Sequence, residues 1–328
     1  MRAHRIAFVA LAVGLVAAGC GGKQTNNSAD QPASGEKVSC EASAGRITIA
    51  TGNTGGVYYT LGGGLAQLIS DNTPLKASAA ETGASVQNIQ QLVAGDYDVA
   101  FALADSAADA VNGKDSFEGK PQDIAALARI YPNYTQVVVR ADSGIDSVAD
   151  MKGKSISTGS PKSGTEVIAN RLLKAAGVSD VSAQRLALRP TVDQMKSGQI
   201  DGLFWSGGLP TPELTDLFTS LGDDVKFVDI TDLLDDLKKI NPVYEKGTLP
   251  AETYSLPSDV PTIVVPNLLL VNKDFPAGNA CAITKLIFDK KDDLVQVHKA
   301  ASALDRTKAK DTAPVKLHPG AAQALDAG

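Results

Sequence analysis

Four short stretches rich in Gly, Ser and Thr hold the residue types best able to do chemistry in this chain. The first is Thr51-Gly52-Asn53-Thr54-Gly55-Gly56-Val57-Tyr58-Tyr59. Its glycines let backbone N–H groups come close to a bound molecule, Thr54 adds a hydroxyl, and the helix expected to start there favours an anion. Tyr58 and Tyr59 offer apolar walls with polar tips. Thr54, Gly55, Gly56 and Tyr58 are therefore candidate ligand contacts, although the loop also reads as a tight connection and nothing more. A dinucleotide fingerprint is absent, because two residues separate Gly52 from Gly55.

A second stretch, Thr158-Gly159-Ser160-Pro161-Lys162-Ser163-Gly164-Thr165-Glu166, imitates a phosphate-binding loop in the spacing of Gly159 and Gly164. Thr165 stands where the phosphate-gripping lysine belongs, which argues against an ATPase. What survives is a hydroxyl-rich helix start suited to a carboxylate, with Ser160, Ser163, Gly164 and Thr165 as candidate contacts. Ser163 also reads simply as a helix cap.

The third stretch, Glu81-Thr82-Gly83-Ala84-Ser85, offers Glu81 for a ligand ammonium, Thr82 for a hydroxyl contact, and Ser85 as either a contact or an N-cap. Asp105 takes the equivalent place after the next strand. In the fourth, Phe204-Trp205-Ser206-Gly207-Gly208, Trp205 is the single tryptophan of the chain, set to close over a ligand or to sit in the core. Arg129 and Arg140 could each supply a cationic fork or an exposed salt bridge.

Catalytic and metal chemistry is poorly provided for. Of three histidines, His4 lies in the N-terminal apolar segment, and His298 and His318 fall on an expected helix and in the tail. There is no G-x-S-x-G elbow and no H-E-x-x-H. No enzyme, no cofactor and no metal site is expected, with a hydrolase using Ser163 or Asp105 as the competing reading.

These loops need elements to hold them. From Arg46 onward, β-rich runs alternate with helical patterns, as in parallel α/β architecture. Strands are expected at 47–50, 75–80, 99–102 and 134–140, then at 155–158, 183–186, 202–205 and 226–228, and last at 262–271, where Pro266 implies an edge position or a bulge. Helices are expected near 165–176, 192–197, 212–220, 232–239 and 279–298. Two long runs, near Val137 and Val265, bracket the middle strands. A chain does this when it leaves one lobe, builds a second and returns. The expected class is thus α/β with two lobes and a central ligand cleft, lobe I at 45–136 and 262–328 and lobe II at 137–261. Strand-to-helix loops would line the cleft.

At the N-terminus, Arg2 and Arg5 precede an apolar run from Ile6 to Ala18, a signal-peptide shape for residues 1–19. Ala17-Ala18-Gly19-Cys20 resembles a lipobox, which makes Cys20 the lipid anchor, with Ala17 where Leu is usual. A plain secretory cleavage site is the alternative. Residues 20–44 then read as a flexible tether. With Cys20 lipidated, Cys40 and Cys281 remain as an even pair in an oxidising compartment, a disulfide or two buried thiols. The formal charge is −6, and losing Arg2 and Arg5 takes 31 bases to 29 against 37 acids, hence −8. Such acidity argues against nucleic acid as a partner and against a polybasic membrane patch.

The sequence resembles the TAXI family, extracytoplasmic solute receptors associated with TRAP transporters. The resemblance lies in Gly52 to Tyr59, Glu81 to Asn88, Asp150-Met151-Lys152-Gly153-Lys154, Gly159 to Thr165, Gly198-Gln199-Ile200-Asp201-Gly202 and Leu317-His318-Pro319-Gly320-Ala321. It implies an extracytoplasmic protein with a fold like type II periplasmic binding proteins and no catalysis; a monomer is expected, and the lipobox bears only on whether it is tethered or free. It also implies a small anionic solute, such as an organic acid or glutamate, delivered to a TRAP permease. A sensory lipoprotein using the same lobes is the alternative.

Overall fold

A computed structural model describes residues 39–327. The signal segment, Cys20 and most of the expected tether lie outside the described residues. Ten strands form one mixed sheet: β1 (Gly45–Ala50), β2 (Leu75–Ala80), β3 (Val99–Leu103), β4 (Ile124–Arg140), β5 (Ser155–Ser157), β6 (Ser182–Gln184), β7 (Gly202–Gly207), β8 (Val225–Phe227), β9 (Glu245–Leu249) and β10 (Val260–Asn272). Their order is β2-β1-β3-β10-β4-β7-β5-β6, with β8 paired to β4 and β9 to β10. The helices are α1 (Val57–Asn72), α2 (Ser85–Ala94), α3 (Ala104–Asn112), α4 (Gly164–Ala175), α5 (Leu188–Lys196), α6 (Pro212–Leu221), α7 (Leu234–Ile240), α8 (Ala277–Asp289), α9 (Lys291–Val297) and α10 (Pro319–Asp326).

Two strands carry the chain between the halves of this sheet. The N-terminal part of β4 pairs antiparallel with the C-terminal part of β10, as in Ala128 opposite Leu269. Its C-terminal part pairs with β7, Tyr134 opposite Gly207 through Val139 opposite Gly202. Because β4 and β10 are buried on both faces along most of their length, their sequences are near-continuous apolar runs. Pro266 sits beside a register shift in β10, so the bulge expected there is present. The edge position is not, since β10 lies between β3 and β4.

The strand expected at 134–140 is the second half of β4. Its first half, Ile-Ala-Ala-Leu-Ala-Arg-Ile, has no period-2 alternation and three alanines, so sequence pattern alone does not separate it from a helix. The strand β9 and the helix α10 also lie outside the elements expected from sequence.

A continuous apolar core joins both halves on one face, from Val86, Ile89 and Ala102 to Ile156, Ile168 and Leu172. On the other face, α1, α8 and α10 cover the first half and α5 and α6 the second. Cys40 and Cys281 form a disulfide with a Cα separation of 4.9 Å, tying the segment before β1 to α8. Among the described residues no helix is long and apolar enough to cross a membrane.

Candidate functional site

Where the two halves face each other, strand-to-helix loops enclose a small cavity with about 30 Å³ of free space. From the first half come Gly52, Asn53, Gly56, Val57 and Tyr58 at the start of α1, Gly83, Ala84 and Ser85 at the start of α2, and Leu103 at the end of β3. From the second come Ser160, Ser163, Gly164 and Thr165 at the start of α4, and Trp205 to Gly208 at the end of β7. Tyr131 and Asn133 of β4 complete the wall. No charged side chain lines it.

Three helices of ten or more residues thus open onto one cavity. The first amides of a helix have no carbonyl one turn back. Among the described residues, the N–H groups of Val57, Tyr58, Ser85, Val86, Gly164 and Thr165 donate nowhere else. Aligned peptide dipoles add positive potential at the same ends. Ser163 caps α4, its hydroxyl accepting from the Glu166 N–H at 3.0 Å. The cap expected at Ser85 is not formed. Ala84 is the N-cap residue, with φ +81°, and the Ser85 hydroxyl, one residue inside the helix, accepts from the Leu103 N–H at 3.1 Å. A non-glycine residue in that conformation is held against its local preference, as is common where backbone is aimed at a ligand.

The remaining polar groups are partly committed. The Thr165 hydroxyl accepts from the Ser206 N–H at 3.2 Å, which leaves its proton free for a ligand. The Ser160 hydroxyl donates to Asn53 Oδ1 at 2.8 Å across the cleft, and the Gln87 N–H donates to the Lys162 carbonyl at 3.1 Å. Tyr58 packs on Phe101 with ring centroids 5.1 Å apart, and its hydroxyl donates to Asn267 Oδ1 at 2.5 Å. Burial pushes the Tyr58 phenol far above its ordinary range, so it stays neutral. The Trp205 indole N–H donates to the Thr211 hydroxyl at 3.0 Å. That bond turns the ring edge toward Gly56, where an added Cβ would lie 3.4 Å from the indole.

Of the residues singled out by sequence, Gly56, Tyr58, Ser85, Ser160, Ser163, Gly164, Thr165 and Trp205 are brought together here. Five others are not among the lining residues. Thr54 is in the exposed part of its loop, where its N–H lies 3.4 Å from the Glu81 carboxylate. Gly55 is pressed against the Glu213 side chain, so closely that a Cβ would overlap the carboxylate. Thr82 is buried, its hydroxyl donating to Asn88 Oδ1 at 2.6 Å. Asp105 is fully buried in the first turn of α3, accepting from the Tyr244 hydroxyl at 2.5 Å and from Arg171 at 3.2 Å. Its carboxylate is neutralised from within the protein. Arg129 pairs with Glu245 at 3.4 Å and Arg140 with Asp142 at 3.2 Å, both away from the cavity. His298 and His318 accept backbone N–H bonds from Ala300 and Gly320 and cap short helices.

Sequence reasoning passed over Tyr131, Asn133, Asn53 and Ser206. The signal that could have found the first two is Tyr131-Pro132-Asn133 itself, a polar interruption in the long apolar run of β4.

A doubly crossed α/β sheet with a cleft at the carboxyl ends of its strands is the two-lobed type II fold of periplasmic binding proteins. The chain belongs to the NMT1-like family, whose model matches residues 49–326. Similar solved structures include MatC from Rhodopseudomonas palustris with bound malate, 12% identical over 86% of this chain and 97% of that one, with a TM-score of 0.54. A protein from Bordetella bronchiseptica RB50 is 21% identical over 86% and 89%, with a TM-score of 0.52. A structure described as a periplasmic transporter is 14% identical over 86% and 92%, with a TM-score of 0.50. At such identities the likeness establishes the fold.

Proposed function

We propose that this protein is an extracytoplasmic receptor that captures a small anionic solute, an organic acid or an acidic amino acid such as glutamate, and delivers it to a TRAP-type permease. The observation that carries this reading is the convergence of three helix N-termini, with six unused amide donors, on a cavity that no charged side chain lines. Amides and dipoles favour an anion without a counter-charge, as at other helix N-termini. The TAXI resemblance supports the TRAP partner and the absence of catalysis, and the receptor is taken to act as a monomer. The signal pattern supports export with a lipid on Cys20, to be tested by release of Cys20→Ser from membranes. Lobe I is taken as 45–136 and 262–328, and lobe II as 137–261.

Native mass spectrometry of the purified protein identifies whatever solute it retains, and titration of acidic amino acids and dicarboxylates against Trp205 emission measures affinity. Losing one charge-assisted hydrogen bond costs about 1.5–3 kcal/mol, so Ser163→Ala or Thr165→Ala should weaken an anion roughly ten- to a hundredfold. Tight binding of a cation or neutral solute, unaffected by either change, would sink the anionic reading. Uptake in proteoliposomes that runs on ATP rather than an ion gradient would sink the TRAP partner alone.

A further inference from the structure

Two polar atoms in the cavity wall have no partner. The Tyr131 hydroxyl and Asn133 Oδ1 are each buried without a hydrogen bond, in side chains 3% and 2% exposed. Buried polar groups are nearly always paired, and one left unpaired in a closed site weakens that closed state. Their positions are fixed by the sheet. Residues 131 and 133 stand two apart on β4 and so project to the same face of the strand. They flank Pro132, next to Tyr134, where β7 takes up pairing with β4. The Asn133 amide N–H₂ donates to the Ser206 hydroxyl at 3.0 Å, so the polar atom of this side chain left without a partner is its oxygen, an acceptor. Burial, with the neighbouring Tyr58 phenol adding to it, holds the Tyr131 phenol protonated, so it enters any contact as a hydroxyl.

The amides at the helix starts donate to a carboxylate, but a carboxylate has no proton to give Asn133 Oδ1, which stays unsatisfied. A group that donates is required there, and one that accepts or donates is required at Tyr131. On the reading of this cavity as an anion-binding site, we propose that Asn133 determines its specificity, with the Tyr131 hydroxyl as a second contact, and that the ligand is a small carboxylate bearing a hydroxyl or ammonium group. A plain carboxylate or an inorganic anion can accept from the Tyr131 hydroxyl, but it has no proton to give and would leave Asn133 Oδ1 unpaired. Sites built to hydrogen-bond a substituent reject the analogue lacking it far more strongly than apolar pockets reject an extra methylene.

Calorimetric titration of three matched pairs tests this: L-malate against succinate, L-lactate against propionate, and L-glutamate against glutarate. At least one hydroxy or amino acid should bind more than tenfold tighter than its plain partner. In Asn133→Ala that ratio should fall to within about threefold, chiefly through loss of the polar ligand, because the variant deletes the acceptor that discriminates, whereas Tyr131→Phe should weaken both members of a pair. Tyr131→Phe also keeps the ring and removes an oxygen that bonds to nothing, so the ligand-free variant should melt no lower than the parent. A residue with a purely structural role would lower the melting point and leave the ratio alone. Plain acids bound as tightly as their partners, or a ratio unchanged in Asn133→Ala, would overturn the proposal while leaving the anionic reading intact. Binding of none of the six would overturn both.

Discussion

Gly164 at the start of α4 lies against Ser85 at the start of α2 so closely that a Cβ on Gly164 would stand 2.7 Å from the Ser85 hydroxyl and 2.5 Å from the Leu103 side chain. The two helix starts belong to opposite halves of the sheet, and glycine is what lets them meet. Gly164→Ala should therefore hold the cleft slightly open. Its helical position tolerates alanine, so unfolding by urea should be little changed. Affinity for the retained solute should fall about tenfold or more, because the amides of the two helices no longer reach it together. Unchanged affinity would mean that the halves need not approach this closely.

Arg171 joins α4 to α3 through Asp105 at 3.2 Å and Asp109 at 2.6 Å, with contacts to Asp115 and Tyr244. Removing one partner of a buried ion pair leaves the other uncompensated, at a cost of about 3–5 kcal/mol. Arg171→Leu should show a loss of that size in urea unfolding. Adding Asp105→Asn and Asp109→Asn to it should recover part of the loss. A loss under about 1 kcal/mol for the single change would show that the cluster is held by its surroundings instead.

The Cys40–Cys281 bond closes a loop with a sequence separation of 241. In the chain-entropy model so long a loop stabilises by about 5 kcal/mol. Cys281→Ser should lower stability by an amount of that order, and reductant should do the same to the parent but not to the variant. Thiol labelling of the unfolded, unreduced parent should leave both cysteines unmodified.

His318 is buried and caps α10, with Nδ1 accepting from the Gly320 N–H, and burial lowers its pKa. A folded value below the unfolded one means that, as pH falls below about 6.5, the unfolded chain takes up a proton the folded protein resists. Stability from this group is thus complete above neutral pH and is lost on acidification. Asp109, pushed up to about 6 by burial against the opposing pull of Arg171, works in the other sense over the same range. The comparison that isolates the histidine is the difference between parent and His318→Asn, since Asn still caps but does not titrate. The parent should lose more of its melting temperature than the variant between pH 7.5 and about 5. Parallel curves would refute the assignment.

Much of the local architecture was legible. The alternation of strands and helices from Arg46, the two long runs near Val137 and Val265, and the cap at Ser163 all follow from short-range rules of period and hydrogen bonding. What misled was also physical. Ser85 reads as a cap, but Ala84 takes that place because the approach of Leu103 claims the Ser85 hydroxyl. Asp105 reads as a cleft acid after a strand, yet Arg171, 66 residues further along, turns it inward. Tyr131 and Asn133 read as strand residues, since nothing local says that their face borders a cavity.

By itself, then, the sequence determined which segments are strands and helices and which loops carry glycine and hydroxyls. The tertiary structure alone decided which of those loops meet. That depends on β10 inserting between β3 and β4, and on β4 changing partners partway along. Such pairings are set by burying apolar surface between residues from about 60 to about 170 positions apart, a term that no local window of sequence contains.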